Sequence, residues 1–451
     1  MGQVSLGSAE IVDQAVRSAR AAFESGEWSK RTPAGRKEAM FAWIALLEAH
    51  AEELAALDCV DAGKPITECR ENDIPAALET LRWHAEAADK VFGKVAPTGP
   101  EALGVITKGP IGVVGAVLPW NYPAAIFAFK VGPALAAGNS VIVKPAELTS
   151  MSAYLMVKLA HEAGIPESAL LLVTGRGEDT GKPLGLHTDV DVVSFTGSTA
   201  VGRKFLEYSA QSNLKEVVLE LGGKSPQIVF GDYYNLDEVV DNVLESAFLT
   251  MGQNCTAGSR LLVEASVKDE LLDALMTQLR QWKIGDPADS QTQIGPMIEQ
   301  AHFEKVLSYI HGASDEGATL IYREADENTF PDSWLVGPTI YADVTPQMSL
   351  FQNEVFGPVL AVTTFESEEE AIALANNTAY GLAASVYTSD LRRAQRVAAS
   401  IKAGTVSVNG YSEGDISAPF GGHKQSGFGG RDNGLEAFDQ YTQIKTVWYV
   451  N

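Results

Sequence analysis

The chain has 451 residues, of which 45% are hydrophobic and 20% are charged. This length exceeds what one hydrophobic core usually supports, so we expect two or three domains of ordinary globular composition. Asp and Glu number 58 against 34 Lys and Arg, a formal net charge of −24, which argues against a partner that is nucleic acid or an anionic membrane.

The cysteine count and the absence of targeting patterns indicate a reducing compartment. Three cysteines are too few for a disulfide framework. No uninterrupted apolar run approaches the ~20 residues of a membrane span, and residues 1–10 lack the basic and then apolar pattern of a signal peptide. We therefore expect a cytoplasmic protein.

Helical periodicity dominates residues 8–91. Apolar residues recur at helical spacing through 11–23, 40–57 and 74–91, and the segment 63–65 (GKP) interrupts the pattern.

From residue 109, short β-rich runs alternate with helix-like segments. The predicted strands are 111–118, 140–143, 170–173, 190–195 and 217–219, and the predicted helices are 124–137, 150–163 and 200–210. This alternation is typical of an α/β domain with a Rossmann-like parallel sheet covered by helices on both faces. Ligands of such sheets bind beyond the carboxyl ends of the strands.

A second alternating segment, 254–408, predicts a second α/β domain. Its predicted strands are 260–263, 338–342, 359–365, 385–387 and 405–408, and its predicted helices are 268–282, 301–316, 367–375 and 391–400. A helix-like run, 243–251, precedes it. The β-prone tail, 441–449, has no local partner, so we expect it to pair with another segment or subunit.

The segment 252–258 (GQNCTAG) places Cys255 between glycines, after a helix-like run and before a predicted strand. A thiol held there with little bulk around it is suited to attack a small electrophile. The alternative is an inert buried cysteine.

Two polar motifs follow the first two strands of the parallel sheet. In the segment 119–123 (PWNYP), the Asn121 amide can donate to an oxyanion, although a plain turn explains it equally well. Lys144 and Glu147 can hold the hydroxyls of a ribose, and an acidic group there favours NAD over NADP. A solvated ion pair is the alternative.

Glycine-containing turns mark the later strand ends. In the segment 195–202 (FTGSTAVG), Gly197 permits close approach and Ser198 can cap a helix whose N-terminus favours phosphate. The GxGxxG fingerprint is absent, and Gly177 belongs only to a weak lookalike. Glu220, followed by Leu221 and two glycines, can be a desolvated general base or a salt-bridge partner of a nearby lysine.

Two further segments complete the set. The segment 354–358 (EVFGP) offers a Glu354 carboxylate for a second ribose and a Phe356 ring for a flat heterocycle, with a simple turn as the alternative. The glycine-rich segment 419–427 is suited to a loop that lines a substrate.

Together these motifs closely resemble the NAD(P)-dependent aldehyde dehydrogenase superfamily from about residue 8 to the C-terminus. The resemblance implies a cofactor domain over 1–91 and 111–222 and a catalytic domain over 223–430. It also implies a small β oligomerisation element formed by 92–110 and 431–451, which would join a homodimer or homotetramer.

The resemblance also implies catalytic roles. Cys255 would be the nucleophile, Asn121 with the Cys255 backbone N–H the oxyanion hole, and Glu220 the base that activates water. Lys130 matches a lysine linked in some members to proton relay. The residues implied to bind NAD, or less favourably NADP, are Pro119, Trp120, Asn121, Lys144, Glu147, Gly177, Gly197, Ser198, Leu221, Glu354 and Phe356. No metal is implied.

The segments 411–424 and 220–224 are most similar to the aminoaldehyde branch, which implies an ω-amino or γ-glutamylamino aldehyde as substrate. The tunnel would be lined by Tyr122, Phe129 and Phe420, and a cationic tail would be attracted by Glu413 and Asp415. Leu249 stands where a betaine-aldehyde enzyme would need an aromatic residue. A betaine-aldehyde or broad aliphatic aldehyde dehydrogenase is the alternative.

Two departures from the family pattern affect these expectations. Members usually begin with a β-hairpin ahead of the first helix, whereas this chain begins almost at that helix. The usual Gly-Arg-Glu is replaced by Gly-Gly-Arg-Asp, so Asp432 pairs with Lys130 only if one glycine is inserted.

Two other classes of protein remain to be weighed. A cysteine hydrolase needs a histidine near Cys255, and none of the seven histidines lies in a recognisable partner motif. A non-catalytic NAD-binding homologue would not need Asn121, Glu220 and Cys255 together.

Overall fold

The computed structural model describes residues 4–233, 235–325, 329–330, 333–412 and 414–450. Its longer helices are Ala9–Ser25 (α1), Pro33–Ala49 (α2), Ala51–Ala62 (α3), Ile74–Ala87 (α4), Pro123–Ala137 (α5), Met151–Glu162 (α6), Thr199–Gln211 (α7), Leu236–Phe248 (α8), Lys268–Leu279 (α9), Gln300–Asp315 (α10), Glu368–Asn376 (α11) and Leu391–Ser400 (α12). Single π-helical turns span Cys69–Asp73 and Gly177–Gly181.

The strands, in chain order, are Lys94–Val95 (β1), Ala102–Pro110 (β2), Val113–Val117 (β3), Ser140–Lys144 (β4), Leu170–Leu172 (β5), Val192–Thr196 (β6), Glu216–Glu220 (β7), Pro226–Val229 (β8), Arg260–Glu264 (β9), Lys283–Ile284 (β10), Thr292–Ile294 (β11), Thr319–Arg323 (β12), Thr339–Ala342 (β13), Val359–Phe365 (β14), Ala383–Tyr387 (β15), Thr405–Val408 (β16), Gly427–Phe428 (β17) and Thr442–Val450 (β18).

A six-stranded sheet of order β17-β7-β6-β3-β4-β5 forms the first layer, and its strands are parallel except for β17 at the edge. β3, β4 and β6 are buried along their whole length, as expected for β-branched strands covered on both faces. Because these strands run in the same direction, their carboxyl ends bring the predicted polar motifs to one edge.

The helix α5 packs beside this sheet and carries several predicted site residues. It begins at Pro123, which suits the first turn of a helix, and it ends at Gly138, whose φ of 102° is left-handed. Helix α5 is buried almost all round, so its apolar side chains pack against both the sheet and neighbouring helices. Phe127 meets the Trp43 ring of α2 edge-on, with centroids 6.1 Å apart.

A second sheet has seven strands in the order β12-β13-β14-β9-β8-β15-β16 and is parallel except for β12. Its buried side chains form a second hydrophobic core. The tail strand β18 pairs antiparallel with β2 along nine residue pairs, and β1 extends that sheet. The expectation that the tail strand finds a distant partner is therefore confirmed.

Three sequence predictions were inaccurate. The helix expected over 40–57 is divided at His50 into α2 and α3, and the run expected to be helical through Met251 ends at Phe248. The strands β8, β10, β11, β12 and β17 were not predicted. The expected α/β fold with a Rossmann-like sheet is confirmed, whereas the domain boundaries stay predictions.

The C-terminal segment contributes to the first layer. β17 pairs with the first sheet, and the side chains of Phe438 and Tyr441 are buried in the core beside it. Within the described residues, no helix is long and apolar enough to cross a membrane.

The packing of Phe127 should stabilise the hydrophobic core beside the six-stranded sheet. The side chain is fully buried, so Phe127→Ala should lower the free energy of unfolding by about 3–5 kcal/mol. Urea unfolding followed by tryptophan fluorescence measures this loss. Phe92→Ala is the control because Phe92 is 75% exposed, and equal shifts for both variants would contradict the packing account.

Candidate active site

A cavity of about 730 Å³ opens at the carboxyl edge of the six-stranded sheet. Its volume lies within the range of small-molecule and cofactor sites, roughly 300–1,000 Å³. Every residue predicted to bind the cofactor lines it: Pro119, Trp120, Asn121, Lys144, Glu147, Gly177, Gly197, Ser198, Leu221, Glu354 and Phe356. The structure therefore brings these motifs together, although their roles stay predictions.

A second cavity of about 270 Å³ meets the first at Cys255 and Glu220, because both side chains line both cavities. Tyr122, Phe129 and Phe420, the residues predicted to line a substrate tunnel, all line this second cavity. Cys255 is half-buried, unlike Cys59 and Cys69, which are buried. A thiol in this place can contact a small molecule in one cavity and a nucleotide in the other.

The turn before Cys255 has an unusual backbone. Thr250, Met251 and Gly252 have φ values of 54°, 57° and 68°, so three consecutive residues are left-handed. A non-glycine residue pays roughly 1–2 kcal/mol for this conformation. The Asn121 side-chain amide donates to the Gln253 carbonyl at 2.9 Å, which ties the first strand end to this turn and leaves the second amide N–H for a ligand.

Two glycines after β7 let the two sheets approach each other at the cysteine. A Cβ at position 223 would lie 2.3 Å from the Cys255 carbonyl oxygen, and a Cβ at position 222 would lie 2.2 Å from the Glu354 carboxylate. The Gly223 N–H also donates to Glu354 Oε1 at 2.9 Å. A side chain at position 223 would displace the Cys255 backbone, whereas one at position 222 would displace the Glu354 carboxylate.

Glu220 is buried at the end of β7, and neither of its carboxylate oxygens has a standard hydrogen-bond partner among the described residues. Burial raises the pKa of this carboxyl well above its usual range, and the nearby Asp432 charge adds to the effect, while Lys130 opposes it. The alternative salt bridges are not formed: the Lys215 ammonium donates to the Gly185 carbonyl and the Ser212 hydroxyl, and Lys224 makes no ion pair with Glu220. A carboxyl in this setting is suited to act as a general base.

Lys130 lines neither cavity. It contacts Asp432, the carboxylate whose charge lies near Glu220. Its ammonium is fully buried and lies 2.8 Å from Asp432 Oδ2. Asp432 therefore does pair with Lys130, as expected if one glycine is inserted. Gln440 donates to Asp432 Oδ1 at 3.3 Å, which holds the other carboxylate oxygen.

The far end of the first cavity has the features expected for a phosphate and a ribose. The Ser198 hydroxyl caps α7 by accepting the Val201 N–H at 3.4 Å. Because Ser198 and Val201 both line the cavity, the N-terminus of the helix faces it. The Lys144 ammonium lies 3.2 Å from Glu147 Oε2. The ion pair of the alternative interpretation thus exists, and the Glu147 side chain, which lines the cavity, remains 45% exposed.

The near end of the first cavity is aromatic, and it includes residues that the sequence analysis missed. The rings of Trp120 and Phe356 meet edge-on at 5.3 Å, and His302 contacts Trp120 at the same distance. The His302 Nε2–H donates to the Phe356 carbonyl at 2.6 Å. Burial lowers the pKa of His302 to about 4, so the ring is neutral near pH 7. The sequence signal for His302 and Lys305 is their spacing of three residues, which places both on one face of α10.

Carboxylates also line the second cavity, but they are not the ones expected. Glu68, Asp73 and Glu245 lie in its wall. Asp415 is exposed, accepts the Ser417 N–H at 2.8 Å and does not line this cavity, so its attraction for a cationic tail stays a prediction. Glu413 lies outside the described residues. Leu249 does line the cavity, as a non-aromatic residue.

The close approach of Gly223 to the cysteine loop should be intolerant of a side chain. Gly223→Ala should displace the Cys255 carbonyl, destabilise the protein by about 1–3 kcal/mol and slow alkylation of Cys255 by iodoacetamide. Gly312→Ala on α10 is the control, because a methyl group there meets open space. Unchanged alkylation in Gly223→Ala would show that the loop does not depend on this contact.

Comparison with known proteins agrees with this geometry. Residues 1–447 match the model of the aldehyde dehydrogenase family. Aminoacetaldehyde dehydrogenase of Pseudomonas aeruginosa is 51% identical over 99% of this chain and 90% of its own length. The crystal structure of gamma-glutamyl-gamma-aminobutyraldehyde dehydrogenase from Burkholderia cenocepacia superimposes with a TM-score of 0.95 at 44% identity, covering 98% of this chain and 89% of that one. An NAD+ complex of aldehyde dehydrogenase from Bacillus cereus gives 0.96 at 40% identity, covering 99% and 90%. The chain belongs to the aldehyde dehydrogenase family.

Proposed function

We propose that this enzyme oxidises an aldehyde to the carboxylic acid with NAD, through a thioester on Cys255. The observation that carries the proposal is that Cys255 and Glu220 line both the cofactor-sized cavity and the smaller second cavity. A nucleophile and a base at this junction can act on one carbon atom that faces a nucleotide.

The first half of the reaction uses Cys255 and Asn121. The thiolate attacks the aldehyde carbon, a sulfur–carbon bond forms, and the carbonyl oxygen becomes an alkoxide. The free amide N–H of Asn121 and the Cys255 backbone N–H stabilise that charge. NAD held by the residues of the first cavity would supply the hydride acceptor, and loss of hydride from the tetrahedral carbon then leaves a thioester on Cys255.

The second half uses Glu220. Its carboxylate removes a proton from water, the hydroxide adds to the thioester carbon, and the thiolate leaves to release the acid. Only the deprotonated carboxylate acts as a base. Burial raises the pKa of Glu220 well above the pKa of an ordinary glutamate, which is about 4.3. Steady-state activity should therefore be lost as the pH falls through this raised pKa, because the carboxyl becomes protonated.

The residues around the first cavity fit a dinucleotide. The capped N-terminus of α7 and Gly197 suit the pyrophosphate, and Lys144 with Glu147 suits the adenine ribose. The buried Thr196 hydroxyl has no hydrogen-bond partner among the described residues, so a ligand can satisfy it. The Glu147 carboxylate would repel a 2′-phosphate, which favours NAD over NADP.

The substrate we propose is an ω-amino or γ-glutamylamino aldehyde. Glu245 is the exposed carboxylate of the second cavity, whereas Asp73 is paired with Lys64 and Glu68 is held by Thr250. The aromatic residues of the same cavity can contact a cation. Two of the similar proteins are named for aminoacetaldehyde and gamma-glutamyl-gamma-aminobutyraldehyde. Betaine aldehyde and simple aliphatic aldehydes are the competing substrates.

We also propose a homodimer or homotetramer joined through the β1-β2-β18 sheet. Its apolar side chains Leu103, Ile444 and Trp448 are 48%, 69% and 58% exposed, and large exposed apolar patches mark interfaces. Localisation in the cytoplasm stays a prediction.

Replacement of the base should separate the two halves of the reaction. Glu220→Gln should produce one rapid equivalent of NADH and then turn over about 10²–10⁴ times more slowly, because the thioester forms but is not hydrolysed. Stopped-flow absorbance at 340 nm measures the burst and the steady rate. Cys255→Ala is the control that should give no burst while it still binds NAD. An unchanged steady rate in Glu220→Gln would exclude Glu220 as the base.

The acidic cavity should select for charge. The ratio of kcat/KM for 4-aminobutanal to that for hexanal should exceed 1 and should fall in Glu245→Gln, since a cation loses one attractive carboxylate while hexanal does not. Steady-state assays with 4-aminobutanal, betaine aldehyde and hexanal measure the order of preference. A clear preference for hexanal in the unaltered enzyme would refute an aminoaldehyde substrate.

A further inference from the structure

The left-handed turn at Thr250 and Met251 is held by one carboxylate from a distant segment. The Thr250 N–H lies 3.1 Å from Glu68 Oε1 and 3.0 Å from Oε2, and the Thr250 hydroxyl donates to Oε2 at 2.9 Å. Both carboxylate oxygens of Glu68 are therefore engaged by the first residue of the turn.

Glu68 is itself anchored on its own side. The segment Ile66–Glu68 is a short helix, and the Ile66 N–H donates to the Pro287 carbonyl at 2.8 Å. The following π-helical turn supplies Asp73, which forms a buried ion pair with Lys64. A carboxylate on this rigid segment can fix the position of whatever it holds.

From Thr250 the contacts lead directly to the nucleophile. The Gln253 N–H donates to the Thr250 carbonyl at 2.9 Å, and the Gln253 carbonyl accepts the Asn121 amide. Cys255 follows two residues later. The Thr250 hydroxyl is also hydrogen-bonded to the Tyr122 hydroxyl at 3.1 Å, so the neighbours Asn121 and Tyr122 both bind this turn.

We propose that Glu68 is a positioning residue that holds the strained turn and thereby fixes Cys255 between the two cavities. The inference rests on the proposed role of Cys255 as nucleophile, and it adds a role for Glu68 apart from any attraction of a cationic substrate. The strained backbone persists because surrounding contacts impose it, and Glu68 supplies three of those contacts.

The two possible roles of Glu68 predict different results with a neutral aldehyde. A residue that only attracts a cation changes KM for 4-aminobutanal and leaves hexanal oxidation unaffected. A residue that positions Cys255 changes kcat for both aldehydes and also the reactivity of the thiol when no aldehyde is present.

The test uses the full-length enzyme and follows the rate at which iodoacetamide alkylates Cys255, with kcat for hexanal as the second measurement. Cys59 and Cys69 are buried, and Cys255→Ala gives the background rate. Glu68→Ala should slow alkylation and hexanal turnover by roughly 10- to 100-fold, the combined effect of losing the hydrogen bonds to the Thr250 N–H and hydroxyl. Glu68→Gln should fall between this variant and the unaltered enzyme. Glu71→Gln is the matched control, because Glu71 is an exposed carboxylate on the adjacent π-helical turn.

A second substitution tests whether Glu68 acts by holding the left-handed turn. Glycine adopts the left-handed conformation without the penalty of a side chain, so Thr250→Gly in the Glu68→Ala background should restore alkylation at least about fivefold. This rescue would not occur if Glu68 acted only through its charge. Thermal unfolding of each variant separates loss of positioning from loss of folding.

The proposal would be overturned by an unchanged alkylation rate in Glu68→Ala, or by no gain on adding Thr250→Gly. A change confined to KM for 4-aminobutanal would also overturn it. These outcomes are distinct from failure of the proposed substrate, because alkylation requires no aldehyde. An enzyme that ignores 4-aminobutanal but shows the loss and the rescue still supports the positioning role.

Discussion

The structure depends on a close backbone contact between two sheets. The strand β7 ends in Glu220, and the glycines that follow it pass close to the Glu354 carboxylate and to the Cys255 carbonyl, where a Cβ at position 223 would clash with the backbone. This contact places the end of the six-stranded sheet against the loop that precedes strand β9 of the seven-stranded sheet. The base, the nucleophile and one cofactor contact therefore occupy fixed places relative to one another, although they are far apart in the sequence.

Burial shifts the pKa values of the ionisable side chains in this site. Glu220 lies where water is scarce and where the Asp432 carboxylate is near, so its pKa is raised. The ion pair of Asp432 with Lys130 keeps that neighbouring charge in place. Likewise, His302 is neutral because it is buried, and its hydrogen bond fixes the backbone of Phe356, which has a left-handed φ of 61°. The cofactor cavity is thus shaped by neutral aromatic groups at one end and charged groups at the other.

Local patterns in the sequence predicted the parts of the site that lie at strand ends. Asn121, Lys144, Ser198 and Glu220 follow apolar strands, and parallel strands must bring their ends to one edge. The contacts of Glu68 with Thr250 could not be predicted in this way, because they join residues 182 positions apart. The left-handed turn was also missed: Thr and Met do not favour positive φ, so tertiary contacts override local preference there. The position of Asp415 outside the second cavity could not be predicted, because a charge in a loop gives no information on which way the loop faces.

The central claim is that Cys255 carries the acyl group between oxidation and hydrolysis. Rapid acid quench of one turnover with NAD and 4-aminobutanal or hexanal, followed by mass spectrometry of the peptides, tests it most directly. The account predicts that the acyl mass appears on the peptide containing Cys255 as NADH forms and disappears as the acid is released. NADH formation with no acyl group on Cys255 at any time, or with the group on another residue, would contradict it.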